Sequence, residues 1–140
     1  MTTIETERGL DVIDTNVVLR YLVPEVPELT ARATSLIESD RVLALSIVAL
    51  AEIGYVLTKV YNVDRSRTVD TLVELLNREN ISVLECETDQ VVEALLHCRP
   101  SGRVSFSDAL LWAMVRSTES ARFWTFDYRF PTMGIEVRQP

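Results

Sequence analysis

Histidine is almost absent from this sequence, since His97 is the only one among 140 residues. A Ser/His or Cys/His catalytic arrangement would therefore depend on this one side chain. Because His97 and Cys98 close the apolar pattern VVEALLHC, we expect the imidazole at a helix C-terminus, where it favours the carbonyl dipoles. A zinc site is disfavoured for the same scarcity of ligands.

Cysteine is also scarce, and Cys86 and Cys98 form neither a CxxC pair nor a disulfide framework, which fits a reducing compartment. No run of about 18 apolar residues occurs, so we expect no membrane span. The N-terminus lacks the apolar centre of a signal peptide, so we expect a cytoplasmic protein. A length of 140 residues with 47% hydrophobic content fits a single domain over residues 1–140.

Acidic residues interrupt or close the most apolar stretches of the chain, at Asp14, Glu52, Asp108 and Asp127. Their contexts are LDVIDTNVVLRYLV, SIVALAEIGYVL, FSDALLWAMV and FWTFDYRF. A carboxylate beside a core is costly unless it is compensated, and none of the four has a basic partner at helical spacing on the apolar side. A shared Mg²⁺ or Mn²⁺ would compensate them, because both ions prefer oxygen ligands. A metal-dependent enzyme is therefore the leading hypothesis.

Apolar runs of strand length alternate with helical patterns along the chain. The predicted strands are 10–13, 42–45, 81–84, 122–126 and 135–137. The predicted helices are 16–23, 28–38, 47–60, 65–78, 89–97 and 107–115. Strands separated by helices predict an α/β fold, a three-layer α/β/α sandwich around a mostly parallel sheet. The helix over 47–60 is apolar almost all round its first turns, which predicts burial inside the protein. Thr88 is the predicted N-cap of the helix over 89–97.

This architecture predicts where the acidic residues lie. In open parallel sheets the ligand crevice lies beyond the carboxyl ends of the strands, and Asp14 and Asp127 directly follow predicted strands. Asp108 opens a helix, and Glu52 lies on the helix after the second strand, so all four can converge. Each also has a simpler interpretation: a helix cap for Asp14, a helix-terminus charge for Asp108, a turn for Asp127 and a solvated face for Glu52.

Basic residues are nearly all arginine, because Lys59 is the only lysine among 14 basic residues. The net charge of −7 argues against a nucleic-acid ligand, although net charge does not describe distribution. Arginine suits bidentate phosphate contacts, but a codon bias explains the excess more simply. Arg99 and Arg103 bracket the turn RPSGR before Asp108, and Arg129 follows Asp127, so these arginines would border converging carboxylates.

The order of these motifs resembles a known family. The motifs are a hydrophobic strand followed by DTNV, then Ser46 and Glu52 separated by five residues, then SDALL and TFDYRF. This order is similar to the PIN domain, and most closely to the VapC-like toxins of bacterial toxin–antitoxin pairs. The resemblance covers the whole chain. It implies that the four acidic residues form a metal site. Supporting polar roles are implied for Thr15, Asn16, Ser46 and Thr125. One departure is Arg129, which stands where many relatives have a further acid.

The resemblance implies hydrolysis of RNA phosphodiester bonds, in which a bound Mg²⁺ or Mn²⁺ activates water for in-line attack. Arg99, Arg103 and Arg129 would then be candidates for RNA binding. A small antitoxin that offers a basic side chain to the acidic pocket is also implied, as is a homodimer. The apolar residues of 29–37 and 69–76 are candidates for the dimer contact, unless they face the core.

Two alternatives remain open from the sequence. A phosphatase of the haloacid dehalogenase type also uses an Asp at the end of a first strand. It requires a second Asp two positions later, where this chain has Asn16, and Lys59 is poorly placed for its downstream lysine. A PIN-like interaction module that keeps its acids without activity is the second alternative.

Overall fold

Parallel strands form the centre of the fold in the computed structural model, which describes residues 9–140. The first sheet has the order β1-β2-β3, with β1 (Asp11–Val12), β2 (Leu43–Leu45) and β3 (Ile81–Val83). Leu43 of the middle strand lies opposite both Asp11 and Ile81 in the register. All three side chains of β2 are buried, as expected for a strand with neighbours on both edges.

Six α-helices connect and cover the strands in the part of the chain that the structure describes. They are α1 (Thr15–Leu22), α2 (Pro27–Ile37), α3 (Ile47–Tyr55), α4 (Arg65–Leu76), α5 (Thr88–Cys98) and α6 (Phe106–Ser117). The helix that begins as α3 continues as a π-helical segment over Val56–Val60. The predicted alternation of strands and helices is confirmed, and so is the α/β sandwich with parallel strands. No helix within residues 9–140 is long and apolar enough to cross a membrane.

A second, two-stranded sheet shares no strand pairing with the first among the described residues. It consists of β4 (Arg122–Trp124) and β5 (Glu136–Arg138), which are also parallel. The sequence predicts one sheet, whereas β4 pairs only with β5 among the described strands. Side-chain contacts hold this unit in place. The ring of Phe123 stacks on Phe130 with 4.2 Å between centroids, and Trp112 Nε1 of α6 donates to the Met133 carbonyl at 2.9 Å.

Most of the apolar residues proposed for dimer contact belong to the core of the protein. Ile37, Val69 and Leu72 have no exposed surface. These side chains pack together with those of the strands, so their apolar surface is buried within one chain. Ile37, Val69 and Leu72 therefore face the core and are not available for a dimer contact, whereas Leu29 is only partly buried, so a contact there stays a prediction.

The prediction that α3 is buried all round is wrong. Leu50 and Ile53 are buried, and α3 packs against α1 and α6. The opposite face is open, because Val48 is 75% exposed, Tyr55 is 62% exposed and Glu52 is exposed. These three residues recur at the spacing of one helix face, and no other described element covers that face. An apolar sequence therefore forms a helix with one solvent-facing side.

The sequence predicts Thr88 as the N-cap of α5, and this prediction is wrong. Thr88 is the first residue of the helix, and Glu87 is the N-cap without a side-chain hydrogen bond. The Thr88 hydroxyl instead accepts from the Val83 amide at 3.1 Å. This hydrogen bond connects the end of β3 to the start of α5. Capping patterns in the sequence do not predict it.

Candidate active site at the carboxyl ends of the strands

Asp14 stands between β1 and α1, at the carboxyl edge of the first sheet. It is the N-cap of α1, and its Oδ1 accepts from the Thr15 amide at 2.8 Å. The capping interpretation is thus correct, but it uses one oxygen of an exposed carboxylate. Thr15 is buried beneath it, while Asn16 is exposed beside it. Asp14 can therefore cap α1 and still offer an oxygen to a ligand.

The segment after β2 reaches the same edge, because β1 and β2 are parallel neighbours. Ser46 follows β2 and caps α3, since its hydroxyl accepts from the Ala49 amide at 3.0 Å. Glu52 lies on the second turn of α3 and is exposed on the open face of that helix. The burial expected for Glu52 is wrong, because Glu52 shares the exposed face of α3 with Val48 and Tyr55, while Leu50 and Ile53 face the core.

Asp108 lies in the first turn of α6, where the helix dipole favours a carboxylate. The helix begins one residue earlier than predicted, with Ser105 as its cap. The Ser105 hydroxyl accepts from the Asp108 amide at 3.0 Å, so Ser105 fixes the backbone of Asp108. Sequence reasoning missed this role, although the spacing of Ser105 and Asp108 follows the capping pattern Ser-x-x-acid.

Asp127 follows β4 in a turn that it stabilises itself. Its amide donates to the Thr125 hydroxyl at 3.0 Å, and its Oδ1 accepts from the Arg129 amide at 2.9 Å. The Arg129 side chain adds an ion pair to the same oxygen at 3.5 Å. Asp127 is therefore a turn residue, and Thr125 contacts its backbone. The ion pair with Arg129 neutralises part of the charge of Asp127.

The acids lie on neighbouring elements but do not form a finished metal site. Helix α3 packs against both α1 and α6, so Asp14, Glu52 and Asp108 are arranged around one helix. Asp127 belongs to the β4–β5 unit. Among residues 9–140, no three Asp, Glu, His or Cys side chains lie close enough to hold one metal ion. The donor chemistry fits Mg²⁺ or Mn²⁺, whereas the positions as they stand do not enclose an ion.

Comparison with known families decides the assignment. The model of the PIN domain family matches residues 12–136, which is most of the chain. The chain belongs to the PIN-domain family. No curated protein and no solved structure was found to match it. Membership in this family indicates a nuclease-type function, and the match includes all four candidate acids.

His97 and Cys98 form no catalytic pair in this PIN domain. His97 lies in the last turn of α5, as predicted, with its ring edge against Trp112 and its Nε2 3.9 Å from Glu93. Cys98 is completely buried, and this burial raises the pKa of its thiol. A buried thiol with a raised pKa is a poor nucleophile. The candidate site residues of this PIN domain are therefore its carboxylates rather than His97 or Cys98.

The three arginines singled out from the sequence differ in their surroundings. Arg99 makes a bidentate pair with Asp70, with both contacts at 2.8 Å. These hydrogen bonds lower the pKa of Asp70 and raise the pKa of Arg99. Arg129 is paired with Asp127. Arg103 is exposed, and its side chain makes no ion pair within residues 9–140. Of the three, Arg103 has the side chain most available to a ligand.

The two possible functions of Asp14 can be separated by substitution. Asn caps helices about as well as Asp, so Asp14→Asn should change the free energy of unfolding by less than about 0.5 kcal/mol. Asp14→Ala removes the acceptor for the Thr15 amide and should destabilise the protein by roughly 0.5–2 kcal/mol. Urea unfolding in the presence of a chelator measures both. Equal stability of the two variants would mean that the cap contributes nothing, and that both can serve as activity probes.

Proposed function

We propose that this PIN domain is an endoribonuclease that hydrolyses RNA phosphodiester bonds and depends on Mg²⁺ or Mn²⁺. The observation that carries the proposal is the position of Asp14, Glu52 and Asp108 on elements packed around α3, in a chain of a nuclease family. Asp14 and Glu52 are exposed and so have oxygens open to solvent. These carboxylates would bind the divalent cation, with Asp127 as the fourth ligand.

The proposed ligands need polar neighbours that fix their orientation. Ser46 and Ser105 cap the helices that carry Glu52 and Asp108, and these bonds hold the two helix starts in place. Thr125 supports the turn of Asp127. We assign supporting roles to these residues and to Thr15 and Asn16, which flank Asp14. Loss of such partners generally lowers metal affinity or activity by about ten- to a hundredfold.

Removal of a proposed ligand should abolish cleavage. Asp14→Asn and Asp108→Asn should each lower Mg²⁺-dependent cleavage of RNA by more than about a hundredfold, because even outer-shell partners of a metal contribute ten- to a hundredfold. Asp89→Asn is the matched control, since Asp89 is an exposed acid in the first turn of α5. The measurement is the initial rate on a labelled single-stranded RNA, with circular dichroism to verify folding.

Two outcomes would contradict the assignment. Cleavage retained by Asp14→Asn would show that Asp14 is no ligand of the active metal. A wild-type protein that binds Mn²⁺ in a titration but cleaves no RNA would favour the inactive interaction module. The phosphatase alternative has weaker support, because the position two residues after Asp14 is Asn16 and the chain is a PIN domain.

We also propose that the protein is the toxin of a toxin–antitoxin pair, acts in the cytoplasm and forms a homodimer. A free ribonuclease is harmful to its own cell, which requires an inhibitor. A basic side chain of a small antitoxin would compete with the metal for carboxylate oxygens, and the net charge of −7 favours a cationic peptide. Because Ile37, Val69 and Leu72 are buried, a dimer contact must use other residues.

The toxin assignment has a direct test in cells. Expression of the wild-type protein should arrest growth, and Asp14→Asn should not. Co-expression of the gene next to its own should restore growth, and the purified complex should regain nuclease activity after proteolysis of the small partner. Normal growth during expression of a folded, active wild-type protein would contradict the toxin role and leave the nuclease assignment intact.

A further inference from the structure

A groove of about 410 Å³ opens between the π-helical end of α3 and the loop that leads into α6. Tyr55, Lys59, Arg65, Ser105 and Ser107 line it, and we call it the basic groove. None of the described residues that line the groove is acidic. This is notable in a protein with a net charge of −7. The groove therefore offers an anion a local field opposite to that of the whole protein.

The basic groove adjoins the candidate active site. Tyr55 lies three residues after Glu52 on the open face of α3, and Ser107 directly precedes Asp108 in the first turn of α6. Gly54 allows the two helices to meet closely here, since a Cβ at this position would lie 3.1 Å from Phe106 Cγ. A ligand in the groove would thus extend from the edge where Glu52 and Asp108 stand.

Arg65 is fixed in position before any ligand arrives. Its Nη1 donates to the carbonyls of Cys98 at 3.0 Å and Val104 at 3.2 Å. Its guanidinium lies over the ring of Phe106, 4.6 Å from the centroid. The Nε and Nη2 atoms make no hydrogen bond within residues 9–140, so they remain as donors. A preorganised guanidinium loses little side-chain entropy when it contacts a phosphate.

Lys59 supplies the second positive charge. It is exposed and forms no ion pair with any residue in 9–140, whereas Arg41, Arg99 and Arg116 all have acidic partners. Lys59 lies within the π-helical segment Val56–Val60. Such segments are rare and occur often at functional sites, because the wider turn re-aims the side chains that it carries. Here the wider turn accompanies a lysine that lines the groove.

Tyr55 adds an aromatic surface to these charges. It is 62% exposed, although its neighbours Ile53 and Leu57 on the same helix are buried. An exposed aromatic ring beside a cationic groove is the combination that binds single-stranded nucleic acid, since bases stack on the ring while the cations follow the phosphates. Hydroxyl groups of Ser105 and Ser107 add polar contacts at the rim.

We propose that the basic groove binds the single-stranded RNA that flanks the bond to be cleaved. Lys59 and Arg65 contact phosphates, and Tyr55 stacks on a base. The assignment of the groove as a flanking subsite rests on the proposed nuclease function, whereas RNA binding itself does not. An acidic peptide is the competing occupant, and it lacks the base that an exposed tyrosine would stack on.

The test is RNA binding measured without cleavage, by fluorescence anisotropy in a chelator with a labelled single-stranded RNA of about ten nucleotides. Lys59→Gln should weaken binding about three- to tenfold and should lower the slope of log K against log salt by about 0.7. Tyr55→Leu should weaken binding by about fivefold or more and leave the salt slope unchanged. Arg65 is not substituted in this test, because its hydrogen bonds to the Cys98 and Val104 carbonyls support the loop before α6.

Arg32→Gln is the matched control for charge, because Arg32 is exposed on α2 and does not line the groove. It should weaken binding less than Lys59→Gln does. Thermal unfolding of each variant verifies that the fold is unchanged. Wild-type affinity in both Lys59→Gln and Tyr55→Leu would overturn the proposal. So would a poly-glutamate peptide whose binding depends on Lys59 while RNA binding does not.

The two proposals can fail separately. If wild-type protein binds RNA through Lys59 and Tyr55 but never cleaves it, the groove assignment stands and the nuclease assignment fails. If wild-type protein cleaves RNA while Lys59→Gln and Tyr55→Leu change neither RNA affinity nor KM, the groove assignment fails and the nuclease assignment stands.

Discussion

The close approach of α3 to α6 is the contact on which both the candidate site and the basic groove depend. Gly54 presents no side chain to the ring of Phe106, and any Cβ there would lie 3.1 Å from Phe106 Cγ. This contact sets the distance between the helix that carries Glu52 and the helix that begins beside Asp108. Arg65 lies over the same ring, and its hydrogen bond to the Val104 carbonyl holds the loop before α6. Even an alanine at position 54 would require the Phe106 ring to shift, because its Cβ would lie closer to the ring than ordinary contacts allow.

Completion of the acidic site is an electrostatic problem. Carboxylates brought within a few ångströms repel one another unless a cation lies between them, so their convergence and cation binding are coupled. Asp14, Glu52 and Asp108 stand around α3, while Asp127 is held by Arg129 on the separate β4–β5 unit. Within residues 9–140, β1 and β4 each pair along one edge only, and both carry an exposed apolar side chain, with Val12 and Trp124 each 55% exposed. Unpaired edges of this kind favour pairing with another strand.

Much of the fold follows from local patterns in the sequence. Asp14 after a short apolar run predicts both the end of β1 and the start of α1, because the same residue ends the apolar run and caps the helix. The alternation of strands and helices likewise predicts parallel pairing, and every described strand pair is parallel.

Other features depend on contacts between distant parts of the chain. Val48 and Tyr55 are as apolar as their buried neighbours, so the sequence of α3 does not reveal which face remains uncovered. The pairing of Arg99 with Asp70 joins two helices and cannot be inferred from either segment alone. The stacking of Phe123 in β4 on Phe130 likewise joins two segments, and strand propensity does not predict it.

The central claim is that Asp14, Glu52 and Asp108 bind one divalent cation. Paramagnetic Mn²⁺ tests it most directly, because it broadens the NMR signals of nearby backbone amides. At low Mn²⁺ occupancy, the amides of Thr15, Glu52 and Asp108 should broaden together and recover when Mg²⁺ is added in excess. Broadening confined to other exposed acids, such as Asp89, or spread evenly over the acidic surface would contradict the claim.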